Sequence, residues 1–159
     1  MTGPERFPVR FERAGVRRRA PLAKAARALL AEGLDALGQP EAQVSMLFCG
    51  EARIRQLKRD WFGEDRATDV LSFPSGEGPR EYLGDLALCV PFAARQAVEA
   101  EKSAPEEMAL LLVHGLLHLL GHDHDTAERK KAMWAEQRRL LKLPAARAFA
   151  EMAWEAGNE

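Results

Sequence analysis

His114–His124 reads HGLLHLLGHDH and gathers all four histidines of the chain into eleven residues, in a run otherwise made mostly of leucine. Glu106 to Leu120 has the length and apolar content of one helix, and on a helix residues four apart project from the same face, one turn above the other. His114 and His118 therefore present two imidazoles to one point in space. Gly121 stands where that helix ends, because a C-terminal cap commonly uses a left-handed residue, a conformation that glycine enters without steric cost. The chain can then turn back and bring His122 or His124 to the same point. A helix continued to His122 would string three rings along a straight row, so the glycine favours His124, which lies beyond the turn.

His114, His118, Gly121 and His124 form HxxxHxxGxxH, which is similar in spacing to the metal ligands of metzincin proteases. In those enzymes a glutamate follows the first histidine and acts as general base. Here that position is Gly115. The metal-binding half of the pattern is present and its peptidase half is missing. Three neutral nitrogens would hold one Zn²⁺ per chain and leave a fourth tetrahedral position open, the arrangement of catalytic rather than structural zinc. Structural sites more often use cysteine, and neither Cys49 nor Cys89 is near in sequence. His122 is surplus to the triad and reads as a pocket-wall or supporting residue.

Outward from this stretch the sequence alternates short strand and helix signals without linker or repeat. FPVRFE has the alternation of an edge strand, QVSMLFC is a short buried strand, and TDVLSFP and YLGDLALCV are two more, separated by the turn-rich SGEGPRE. Helices are expected after Pro21 with Gly38 as the stop, over EARIRQLKRDWF ending near Gly63, and from Pro91 onward. Ser103 with Glu106, and Asp125 with Glu128, have the spacing of capping boxes at the starts of the next two helices. A last helix is expected from Ala145 to about Trp154. The pattern predicts an α+β fold: a single domain with a small mixed sheet of about four strands, packed with five to six helices and carrying the HxxxHxxGxxH helix-turn.

At 159 residues, 47% of them hydrophobic and 30% charged, the chain can bury one core without staples. Two cysteines 40 positions apart read as buried free thiols of a reducing cytoplasm. The N-terminal residues lack the apolar segment of an export signal. Met108 to Leu120, the longest apolar run, is too short and too interrupted to span a bilayer. Net charge is −1, which excludes a global basic excess, but seven basic residues between Arg10 and Arg27 are opposed only by Glu12. A charge run of this kind is either a solvated face or a phosphate-contacting one.

HGLLHLLGHDH resembles the signature HGxLHLxGYDH of the YbeY family of bacterial endoribonucleases and rRNA maturation factors. LKRDWFGEDRATDVLSFP, Leu57–Pro74, resembles the family's second signature, LNxxYRGKDxPTDVLSFP, and GDLALC, Gly84–Cys89, is similar to its GDI strand. The resemblance implies a zinc-dependent, single-strand-specific endoribonuclease of the cytoplasm. It implies action on ribosomal RNA at the ribosome or small subunit, including 3′-end maturation of the small-subunit rRNA and ribosome quality control. Carried onto this chain, the ligands are His114, His118 and His124, and His122 takes the place of the family's tyrosine. The chain departs from the second signature at Lys58, where the family has asparagine, and at Phe62, where it has an arginine suited to phosphate charge.

Cleavage of a phosphodiester asks for stabilisation of developing charge and for proton transfer. Arg59, one turn before Phe62, and Arg66 in the following loop are candidates to replace the missing arginine. Asp85 and Asp123 are candidates for general base or for orienting a histidine. The Arg10–Arg27 run becomes a candidate surface for the RNA backbone. Two alternatives stand beside this reading: a metal-dependent hydrolase of another substrate such as a peptide, and a ribosome-associated binding module with a mainly structural zinc.

Overall fold

A computed structural model describes residues 5–76 and 81–155. Four strands, β1 (Val9–Glu12), β2 (Gln43–Cys49), β3 (Val70–Pro74) and β4 (Tyr82–Cys89), form one sheet in the order β1-β2-β4-β3. β1, β2 and β4 run parallel, whereas β3 pairs antiparallel with β4. Six helices accompany them: α1 (Arg19–Ala36), α2 (Glu51–Phe62), α3 (Val90–Glu99), α4 (Ala104–Leu119), α5 (Ala127–Leu141) and α6 (Pro144–Ala150). The expected mixed sheet of about four strands with five to six helices is what forms. Four residues of the SGEGPRE connection, 77–80, lie outside the described residues.

Parallel neighbours cannot be joined by a tight turn. α1 supplies the crossover from β1 to β2, and the chain returns from α2 to β4 by way of β3, which runs back through the sheet itself. Strand alternation then sorts the core. Val44, Met46, Phe48, Leu86 and Leu88 face α1, α4 and α6 in the larger apolar cluster. Leu47, Cys49, Leu71, Ala87 and Cys89 face the other way, toward Ile54 and Leu57 of α2. α4 is the central buried helix, apolar on nearly every side, which is why its hydrophobic content exceeds that of a one-faced surface helix.

Helix ends follow the sequence in most places. Ser103 accepts the Glu106 N–H at 3.2 Å while the Glu106 carboxylate accepts the Ser103 N–H at 3.2 Å, the reciprocal box expected for α4. At the start of α5 the expected cap is displaced by one residue. Thr126, not Asp125, is the N-cap and accepts the Arg129 N–H at 3.1 Å, because Asp125 is drawn into an ion pair with the Arg129 guanidinium at 3.0 Å. α1 begins at Arg19, two residues before Pro21; a proline in the first turn forfeits no intrahelical bond. α6 stops at Ala150, short of the expected Trp154, where Glu151 and Met152 close the last turn onto Arg147 and Phe149.

Cys49 and Cys89 sit in register on adjacent strands, both buried and both free. Burial pushes their thiols up to about 12 and about 11. The thiolate is the reactive form, so native protein at around pH 8 is expected to give no reaction with a disulfide reagent. Both thiols should titrate only after denaturation; colour from folded protein would contradict the burial.

Candidate metal centre

α4 carries His114 and His118 to one rim of the fold and stops there. Gly121, at φ 92°, donates its N–H to the His118 carbonyl at 3.0 Å, and His122 donates to the Leu117 carbonyl at 3.0 Å. These two bonds are the Schellman pair that closes a helix on a left-handed residue. The turn folds His124 back over α4, so that ligand atoms of His114, His118 and His124 all lie within 4.8 Å of one another. His122 spends its N–H on the cap and is not in the cluster.

The arrangement of nitrogens fits a metal ion. The Nδ1 of His114 donates to the Oε1 of Gln137 on α5 at 2.7 Å, which leaves the lone pair of Nε2 turned into the cluster. That Nε2 stands 3.0 Å from the Nε2 of His118. Two nitrogens bound to one tetrahedral ion at 2.0–2.1 Å each stand about 3.3–3.4 Å apart. Burial, followed by the neighbouring His114 and His124, lowers the pKa of His118, keeping its imidazole neutral as a ligand must be. Trp134 of α5 meets the rings of His114 and His124 edge-on at 5.9 and 6.0 Å between centroids and walls one side. Asp123 accepts the His124 N–H at 2.7 Å, and that bond is the main cause of its lowered pKa. Its carboxylate thus braces the turn that delivers His124.

The triad opens into a cleft of about 690 Å³ that runs along edge strand β3 between α4, α5 and the end of α2. Lys58, Phe62, Ser72 and Gln137 line it with the histidines. Several residues singled out in the sequence are elsewhere. Arg59 is exposed on the outer side of α2, its guanidinium paired with Asp60 at 3.2 Å and reaching Asp65 at 3.9 Å. Arg66 is bound to Glu64 at 2.8 Å. Asp85 occupies the α2 face of β4, opposite to Leu86, and meets the Tyr82 hydroxyl in a separate hollow. No member of the Arg10–Arg27 run is among the described residues lining the cleft; Arg27 donates to the Phe7 carbonyl at 3.0 Å and Arg17 pairs with Glu155.

A family profile described as Endoribonuclease YbeY matches residues 12–144. The chain belongs to the YbeY family. It is 42% identical to the protein named Endoribonuclease YbeY of Solibacter usitatus over 144 residues, which covers 90% of this chain and 92% of that one. The namesake from Thermus thermophilus is 42% identical over 121 residues, 74% of this chain and 87% of its own. Of the Anaeromyxobacter relative, also 42% identical, the chain spans 65% of the length. Among solved structures, the solution structure of TM1509 from Thermotoga maritima is similar with a TM-score of 0.59 at 26% identity, covering 84% of this chain and 87% of that one.

Within the YbeY family signature, Gly115 proves to be more than the absence of a glutamate. A Cβ there would stand 2.9 Å from Leu86 Cδ2 and 3.3 Å from Ser72 Oγ, and the Ser72 hydroxyl donates to the Gly115 carbonyl at 3.1 Å. The position faces the sheet, so a longer side chain would collide with β3 and β4 rather than reach the histidines. Gln137, Trp134 and Lys58 are the site residues that sequence reasoning did not assign a role. Gln137 had one signal: it is a polar residue in the buried Met133–Gln137–Leu140 stripe of α5. A Gln137→Leu variant is expected to fold and to bind Zn²⁺ about 10- to 100-fold more weakly, as judged by competition with a chromophoric chelator. Unchanged affinity would show that His114 needs no orienting partner.

Proposed function

We propose that the chain is a metal-dependent, single-strand-specific endoribonuclease acting in ribosomal RNA processing, including 3′-end maturation of small-subunit rRNA, and in ribosome quality control. The observation that carries the reading is the three-nitrogen cluster opening onto a cleft with a lysine in its wall, in a chain whose relatives are named endoribonucleases. In this reading residues 1–159 act as one catalytic domain in the cytoplasm, with single-stranded rRNA and the ribosome or its small subunit as partners. No helix among the described residues is long and apolar enough to cross a membrane.

His114, His118 and His124 would hold one Zn²⁺ per chain. The donor set supports zinc: three neutral imidazole nitrogens suit a borderline ion and leave one tetrahedral position open. When bound, the ion supplies Lewis acidity toward a phosphate oxygen or a water molecule. The protein's own residues supply orientation. Gln137 holds the His114 proton on Nδ1, Asp123 fixes the turn that presents His124, and Trp134 excludes water from behind two of the rings. Arg59 and Asp85 have no part in this proposal, since each is committed to partners away from the cleft.

The peptidase alternative is disfavoured by Gly115, which neither supplies a base nor faces the histidines. The purified protein, with and without a chelator, is offered single-stranded RNA, duplex RNA and casein. Cleavage of the single strand alone, stopped by the chelator, is expected. Proteolysis without RNA cleavage would overturn the proposal, and zinc-loaded protein that cleaves neither substrate would favour a structural zinc in a binding module.

A further inference from the structure

We propose that Lys58 is the phosphate-contacting cation of the cleft, held in place by Phe62 and Glu64; the proposal rests on the reading that the cleft takes single-stranded RNA. A phosphodiester backbone brought to the triad calls for a positive side chain in the cleft wall to neutralise its charge. Lys58 is the one lysine or arginine among the described residues lining the cleft. Ile54 and Leu57 turn α2 onto the sheet, and Lys58 and Phe62, one turn apart, lie on the flank that faces the cleft. Arg55 and Arg59 project outward and are spent on Asp65 and Asp60.

The Lys58 side chain is only 18% exposed, and its ammonium lies over the Phe62 ring, 5.3 Å from the centroid. The ring restricts a stem that would otherwise be mobile and adds a cation–π attraction. Glu64 lies 3.4 Å from the ammonium, but its carboxylate is held chiefly by Arg66, whose guanidinium donates to it at 2.8 and 3.0 Å. Arg66 is also the main cause of the lowered Glu64 pKa, ahead of Lys58. Lys58 can therefore turn a donor to a phosphate oxygen while Glu64 stays paired. Asp69, the carboxylate among the described residues lining the cleft, does not compete: it accepts from the Val70 N–H at 2.6 Å, the Thr68 hydroxyl and the Gln96 amide.

Wild-type protein, Lys58→Met, Lys58→Arg and the outer-face control Arg55→Met are compared in two assays. One is anisotropy of a labelled single-stranded RNA with chelator-treated protein over a series of KCl concentrations; the other is steady-state cleavage by the metal-loaded protein. Lys58→Met is expected to lower kcat/KM roughly 10- to 100-fold, the range of one charge-assisted contact. It should flatten the slope of log affinity against log salt by about 0.7, one single-strand phosphate contact. Lys58→Arg should restore most of both, and Arg55→Met should move neither. Wild-type slope and rate in Lys58→Met, or a loss that Lys58→Arg does not relieve, overturns the proposal. RNA neither bound nor cut by the wild type would sink the functional reading and this proposal together, whereas cleavage equal in wild type and Lys58→Met sinks this one alone.

Discussion

His118→Ala is expected to lose RNA cleavage by roughly 10³-fold or more while remaining folded. A ligated ion contributes several kcal/mol of charge stabilisation to a phosphoryl transition state, and each 1.4 kcal/mol or so is tenfold in rate. The substitution removes the nitrogen that stands 3.0 Å from His114 Nε2 and leaves two of the three clustered imidazoles. It removes little else. His118 lines the cleft at the end of α4, is only partly buried, and is replaced by the best helix former. Single-turnover cleavage and a thermal melt on the same preparation read the two halves separately. Cleavage within tenfold of wild type would contradict a catalytic role for the triad.

Gly84→Ala should be a costly single methyl, destabilising by about 3–5 kcal/mol. Gly84 opens the GDLALC strand at φ 138°, a conformation that other residues rarely adopt, and it pairs with Pro74 across the antiparallel β3–β4 ladder. A Cβ built there would stand 2.1 Å from the Phe73 carbonyl oxygen and 3.0 Å from Pro74 Cα. Those atoms are backbone, so relief requires β3 to move. Strain at such a backbone conformation and forced overpacking each cost about 1–3 kcal/mol. For a chain of this size the sum lowers Tm by roughly 10 °C or more. β3 also forms the floor of the cleft through Val70 and Ser72, so activity should fall with stability. A Tm within two or three degrees of wild type, about 1 kcal/mol, would show that β3 is not held where the ladder puts it.

The legible parts of this protein are those encoded by local spacing. Two histidines four apart on a helix must share a face, and a glycine three residues later must be able to turn the chain, so the triad could be read from eleven letters. The capping box of α4 and the short apolar strand runs of β2 and β4 were legible for the same reason. Gln137 and Trp134 reach the triad from a helix whose packing angle no local pattern specifies, and Lys58 reaches the cleft across an edge strand. The case of Asp85 shows where local reading stops. Alternation along β4 puts it opposite Gly84, Leu86 and Leu88, but only the assembled sheet reveals that α4 covers the leucine face. Arg59 has the same history on a helix: it lies one residue from Lys58, and those 100° of rotation carry it from the cleft to solvent.

Titration of Zn²⁺ into metal-free protein, followed by single-stranded RNA cleavage at each point, asks whether an ion held by His114, His118 and His124 is what makes the protein a nuclease. One strongly bound ion per chain is expected, with cleavage rising in proportion to occupancy and reaching its plateau at one equivalent. Full cleavage by the metal-free protein in excess chelator, or one tightly bound ion with no cleavage at any occupancy, would contradict that expectation.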